Sequence, residues 1–338
     1  MQQDTNEVKA AIEAVIDADK GNAADTAAGA KKKKPGRPRK ATLQVPIAVH
    51  GIIDKPANEA DLIELIYCDP LVFKKVIGVL KGYQVSEVGL NFDKTGLRIE
   101  TKNRLGTVDI LVTISGACMN LYYCKEPIKI WVKREELERT FGSLGKNHTK
   151  VTWLLRENYR QLLYIIAKSS ELNSEQIFEV DVFYKQDNGQ ILQPCIDDDS
   201  NYPLKFKIIT KYFRKVIITA SNNADRLTIQ KTGDQPLQLT VNRAKGSGTG
   251  WSEVYPDAEK IGLQSNIAQN DIFNVSVEFA NILPFCKQAP GDNIFVAADK
   301  TKRVSLQCFT DRREIGWAIC VKIFSNIAAA PSGILVNK

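Results

Sequence analysis

The feature that most constrains this chain is that one helical unit occurs twice. Phe73-Lys74-Lys75-Val76-Ile77 recurs as Phe213-Arg214-Lys215-Val216-Ile217, 140 residues on (213 − 73). A unit repeated at that distance implies two similar halves, each burying the same helical face. The surroundings recur too. An apolar strand precedes each helix, at residues 62–67 and 204–209. Strands follow at 88–92 and 97–101 in the first half and at 227–230 and 237–242 in the second. A further strand and a second helix come next, at 128–132 with 135–144 and at 273–279 with 280–288. Each half closes on alternating segments, 151–155, 161–168 and 177–184, then 293–297, 304–309 and 317–324. Period-two alternation, as in Val180-Asp181-Val182-Phe183, marks strands. The expected class is α+β, with two tandem domains of sheet packed on two helices each.

The helices carry the chemistry. With about 100° per residue, Lys74 and Lys81 share one face and Val72, Phe73, Val76, Val79 and Leu80 the other. In the second copy Lys211, Arg214 and Lys215 oppose Phe213, Val216, Ile217 and Ala220. The second helices carry less of this signal: Arg139 stands opposite Leu137, Phe141 and Leu144 in a helix of mixed charge, and the last helix offers Lys287 at its end, with Pro284 kinking it or marking its start. One cationic stripe is an ordinary solvated face. The same stripe in both copies suits a ligand with repeating charge, such as DNA phosphates.

Placement matters because the bulk charge is modest. The 338 residues carry a net +7. Residues 31–40 hold seven positive charges and residues 1–30 a net −4, which leaves +4 for residues 41–338. Within the basic run, Lys31, Lys32, Lys33 and Lys34 lead into Pro35-Gly36-Arg37-Pro38-Arg39-Lys40. That segment resembles an AT-hook, in which an extended Gly-Arg-Pro core enters the narrow, electronegative A·T minor groove and flanking lysines neutralise phosphate. A nuclear import signal or a generic basic tether accounts for the same residues. Residues 1–30, poor in large apolar groups, are expected to be disordered.

Two strand–helix–strand units joined by a linker resemble the sliding-clamp family, PCNA in particular, over residues 60–327. The resemblance lies in element order and in the first helix of each half, not in a short invariant motif. It implies domains at residues 41–185 and 203–327, a connector at 186–202 and a terminal tail at 328–338. It also implies a homo-oligomeric ring, a trimer in this family, around double-stranded DNA, with Lys74, Lys75, Lys81, Arg139, Lys211, Arg214, Lys215 and Lys287 lining the hole. Closure by edge strands would use Leu163 and Ile165 in the apolar run 162–166, with Leu237 and Leu239 in 237–241. DNA polymerase and other replication or repair proteins would dock short peptides beside Ile191, Leu192 and Pro194 of the connector and Ala329, Ala330 and Pro331 of the tail. The tail departs from the family in lacking an acidic ending, and residues 1–40 lie outside the usual clamp. A tailed, divergent clamp fits a large DNA virus, acting in the nucleus or in a cytoplasmic replication compartment. A monomeric or dimeric clamp-fold processivity factor, or a viral late transcription factor, is the alternative.

Catalysis is not expected. His50 and His148 lie outside any motif of recognised spacing, and no HExxH, GxSxG or dinucleotide fingerprint occurs. The Gly-rich segment 244–257 lacks phosphate-loop spacing; its Trp251 and Tyr255 are candidate stacking residues in a flexible connection. Asp197-Asp198-Asp199 reads as a solvated linker. Seven cysteines without CxxC pairing fit buried, reduced thiols of an intracellular protein, and neither metal nor cofactor is expected. No apolar run approaches the ~18 residues of a membrane span.

Overall fold

The structure is a computed structural model that describes residues 51–169, 171, 174–185, 202–222, 224–241, 251–255, 259, 261–299, 301, 303–309 and 316–323. The first half runs β1 (Asp61–Tyr67), α1 (Pro70–Gly82), β2 (Glu87–Asp93), β3 (Gly96–Lys102), β4 (Val108–Ser115), β5 (Leu121–Cys124), β6 (Ile128–Lys133), α2 (Arg134–Ser143), β7 (His148–Arg156), β8 (Leu162–Ser169) and β9 (Glu175–Phe183). The second repeats that order as β10 (Leu204–Ile209), α3 (Thr210–Ser221), β11 (Arg226–Thr232), β12 (Leu237–Val241), β13 (Trp251–Tyr255), β14 (Gln264–Ser265), β15 (Ile272–Glu278), α4 (Phe279–Gln288), β16 (Asn293–Ala298), β17 (Val304–Phe309) and β18 (Trp317–Ile323).

Local chemistry sets the helix ends. Asp69 accepts a hydrogen bond from the Leu71 amide at 3.1 Å, and Pro70 occupies the first turn of α1, where its missing N–H costs nothing. Pro284 lies inside α4 and does not mark its start. The buried face of α1 drives Phe73 into an aromatic cluster, its ring 5.3 Å from Phe141 and 5.0 Å from Trp153. The repeat-related Phe213 is likewise buried, as is Phe285 of α4.

The strands form a fourteen-stranded sheet ordered β14-β10-β16-β17-β18-β4-β3-β2-β6-β9-β8-β7-β1-β5 and a four-stranded sheet ordered β13-β12-β11-β15. The halves meet where β18 pairs antiparallel with β4 along its whole length, from Trp317 opposite Ile114 to Ile323 opposite Val108. Strands β4 and β5 were not anticipated from the sequence, nor were β13 and β14. Strand β4 is buried on both faces for most of its length, so the two-residue alternation that reveals a strand is missing.

The expected edge strands require correction. Strand β8 lies between β7 and β9, and β12 lies between β11 and β13. Leu163, Ile165, Leu237 and Leu239 are all fully buried within the chain. Apolar side chains gain most from a central position, so an apolar run marks the middle of a sheet, not its rim. Among the described residues β5 and β14 end the larger sheet, and β13 and β15 end the smaller one. Strand β13 there pairs with β12 alone, and β9, although inside the larger sheet, pairs fully with β8 but meets β6 only through Val182 and Phe183.

Candidate nucleic-acid interface

The four described α-helices form a continuous layer. Helix α1 packs on α2 of its own half and on α4 of the other half, and α4 also packs on α3. Together they hold nine basic residues and three acidic ones, a net +6. All three acids, Glu135, Glu136 and Glu138, lie on α2. Residues 41–338 carry only +4, so everything else in that span sums to −2. The positive charge of the body is thus concentrated on its helices.

The cations of this layer fall into two groups. Lys75, Arg139, Lys211, Lys215 and Lys287 are exposed. Lys74, Lys81 and Arg214, like Arg134 with the Val85 carbonyl and Glu138, are engaged within the chain. The Lys74 ammonium donates to the carbonyl oxygens of Gly142 at 3.3 Å and Leu144 at 3.1 Å, at the end of α2. Arg214 does the same for α4, donating from Nε to Cys286 O at 2.7 Å and from Nη2 to Ala289 O at 3.3 Å. Lys81 pairs with Glu138, which also binds Arg134 and whose pKa is lowered, chiefly by the Lys81 hydrogen bond. The sequence reading assigned Lys74, Lys81 and Arg214 to phosphate; here each already has partners within the chain. Unsatisfied carbonyls at a helix C-terminus attract cations, and the repeat places one at each. The signal was available, because Lys74 and Arg214 are equivalent positions of the repeat.

His148 is the first residue of β7 rather than part of a loop, and its Nδ1 accepts the Gly145 amide at 3.0 Å. The thiols of Cys286 and Cys308 are buried, which pushes both upward, Cys308 to about 12. The tail residues Lys31, Lys32, Lys33, Lys34, Arg37, Arg39 and Lys40 lie outside the described residues. So do His50, the connector residues Ile191, Leu192 and Pro194, the triad Asp197-Asp198-Asp199, and Ala329, Ala330 and Pro331. Among the described residues no helix is long and apolar enough to cross a membrane.

Comparison with solved structures decides the architecture. A PCNA2-PCNA3 complex from Sulfolobus tokodaii superposes at a TM-score of 0.62 with 19% identity, covering 77% of this chain and 98% of that one. Proliferating cellular nuclear antigen from Entamoeba histolytica gives 0.63 with 14% identity, covering 78% and 98%. The chain has the PCNA-type clamp fold. No family model matches it. In sequence, this clamp-fold chain is similar to uncharacterized proteins of African swine fever virus. Those from the Malawi tick and Kenya pig isolates are each 24% identical over 285 residues, spanning 83% of this chain and 94% of the viral proteins.

Proposed function

We propose that this protein is a DNA sliding clamp, a closed ring of identical chains that holds replication enzymes on duplex DNA. The observation that carries the reading is the pairing of β18 with β4 between the halves. The repeat makes β9 the counterpart of β18 and β13 the counterpart of β4. Both counterparts have an open edge, so the same joint made head to tail between copies would consume them. A heterologous contact of this kind closes into a ring when its rotation closes. The helix layer would then face the hole. Lys75, Arg139, Lys211, Lys215 and Lys287 would meet phosphates without reading bases, which allows sliding. DNA polymerase and other partners would dock on the opposite face through short peptides. The basic segment 31–40 would add a second hold on DNA.

Strand β9 has the character of a managed edge. Glu175, Gln176, Ile177, Glu179 and Asp181 are exposed, and charge on an edge discourages indiscriminate pairing. The Asp181 amide donates to Glu136 at 3.0 Å, whereas the next amide, Val182, donates to Gln161 beside β8. Alternation therefore directs the Glu179 amide to the open side. Glu179→Pro removes that donor without touching the β8 ladder. The full chain is expected to sediment as an oligomer and E179P as a monomer of unchanged fold. An oligomer that survives E179P argues against this edge.

A second reading rests on charge. Residues 31–40 carry +7 against +4 for the whole body, as suits a monomeric clamp-fold processivity or late transcription factor held on DNA electrostatically.

A further inference from the structure

Five adjacent strands end together on one side of the larger sheet. Ala298 of β16 pairs with Val304 of β17, Val304 with Ile323 of β18, and Ile323 with Val108 of β4, beside Lys102 at the end of β3. The turn from β3 to β4 and the turn from β16 to β17 therefore flank the end of β18. Both turns are basic. Lys102 and Arg104 of the first and Arg303 of the second are exposed, and the half-buried Lys322 lies between them. In sequence the second turn also holds Lys300 and Lys302.

Two acids share this end, and both are bound within the chain. Asp109 is buried and pairs with Lys102 at 3.5 Å. Burial raises its pKa, and Lys102, Lys322 and Arg303 all lie close enough to oppose that. Asp299 accepts the Arg303 amide at 2.9 Å and the Thr301 hydroxyl at 2.7 Å, and so closes its own turn. Six cations against two acids leave this sheet end a net +4.

Apolar surface adjoins the charge. Two residues along the same strands, about 6.6 Å on and on the same face, Leu111 stands opposite Cys320. The alternate residues Ile110 and Val112 belong to the main core, whereas Leu111 and Cys320 form a separate cluster against which the half-buried Tyr202 packs. At the tip of the first turn Leu105 is 80% exposed.

We infer that this sheet end selects acidic peptides: a partner segment seats apolar side chains on Leu105 and Tyr202 and sets carboxylates against Arg104, Arg303 and Lys322. The inference rests on the reading above that partners dock short peptides on the face away from the helices, and it adds what those peptides must carry. Charge complementarity decides the class, because a lysine-rich segment would be repelled. Duplex DNA offers charge at every step but no apolar side chain for Leu105 and Tyr202.

A library of displayed random peptides, selected on the full chain and on its Arg104→Glu with Arg303→Glu variant, tests this. The wild type is expected to enrich acidic sequences with an apolar centre, and the variant to lose them. Fluorescence anisotropy then compares one enriched peptide with a copy in which amides replace its carboxylates. The wild type should bind the acidic form about tenfold more tightly at low salt, a comparison that does not depend on the variant folding. Enriched peptides that are neutral or basic, or an acidic form bound no better than its amide copy, overturn the acidic selection and leave peptide docking standing. A duplex oligonucleotide that displaces the peptide, and that the double variant no longer binds, makes the patch a DNA contact and overturns the inference. Acidic peptides that bind only after Asp197→Asn, Asp198→Asn and Asp199→Asn are combined overturn it too, because the chain's own acids then fill the patch. No enrichment on the wild type overturns the docking reading itself, and this inference with it.

Discussion

The Arg214 guanidinium holds the carbonyl oxygen of Cys286 at 2.7 Å, and so ties the first helix of the second half to the end of its second helix. Lys74 makes the equivalent tie in the first half, to Gly142 and Leu144. Arg214→Ala would leave the α4 carbonyls without this donor. Hydrogen bonds to a charged group contribute ~1.5–3 kcal/mol. Chemical denaturation of R214A should show a loss in that range, with the midpoint shifted and the slope unchanged. A variant as stable as the wild type would remove the capping role.

The exposed lysines should behave in the opposite way. Lys75→Ala, Lys215→Ala and Lys287→Ala are each expected to change stability by less than ~0.5 kcal/mol. Each should flatten the dependence of log affinity on log salt by about 0.9 on duplex DNA. Lys81→Ala, whose ammonium is paired with Glu138, should flatten it much less. Fluorescence anisotropy across a salt series separates the two groups. Equal slopes for K81A and K215A would contradict the division.

Crowding where α1 meets α4 gives a sharper structural test. Gly82→Val places a branched side chain where a Cβ already stands 2.6 Å from that of Pro284. Overpacking of this kind costs ~1–3 kcal/mol, so thermal unfolding of G82V should occur several degrees below the wild type. Gly142→Val, with no neighbouring atom within 4 Å of its Cβ, should show only the weaker effect of helix propensity.

Strand β4 carries a pH signature. Asp109 lies opposite Lys322 of β18, and burial raises its pKa against the lowering influence of Lys102 and then Lys322. A carboxyl with a raised folded pKa binds more protons folded than unfolded. Its contribution is therefore fully present below the unfolded carboxylate value and is lost as pH rises through the folded one. Asp109→Asn should become progressively more stable relative to the wild type as pH rises from the unfolded carboxylate value through the raised folded one, as the linkage relation requires. A difference that is flat with pH would contradict the burial.

Much of this architecture was legible in the sequence, for a specific reason. Phe73 and Phe213 sit in helices whose apolar faces obey a strict period, and a repeat doubles the signal. What failed was the assignment of edges. The apolar run at Leu162–Ile166 suggested a strand in need of a partner, whereas two partners inside the chain already bury Leu163 and Ile165. The rim instead shows charge at Glu175, Glu179 and Asp181, a pattern that resembles any solvated strand. Strand β13 escaped notice because Trp251–Tyr255 follows a Gly-rich run. The stripe of cations was visible, but not that Lys74 and Arg214 point along the layer to helix ends, since that depends on the neighbouring helix.

The central claim is topological, and one measurement addresses it most directly. The full chain is placed on nicked circular duplex DNA, and its retention is followed at ~0.3 M salt, where contacts made by charge alone are weakened. The circle is then linearised by a single cut. A ring predicts retention on the circle and rapid loss through the new ends. Equal retention on circular and linear DNA would contradict encirclement and leave a clamp-fold protein that holds DNA by charge.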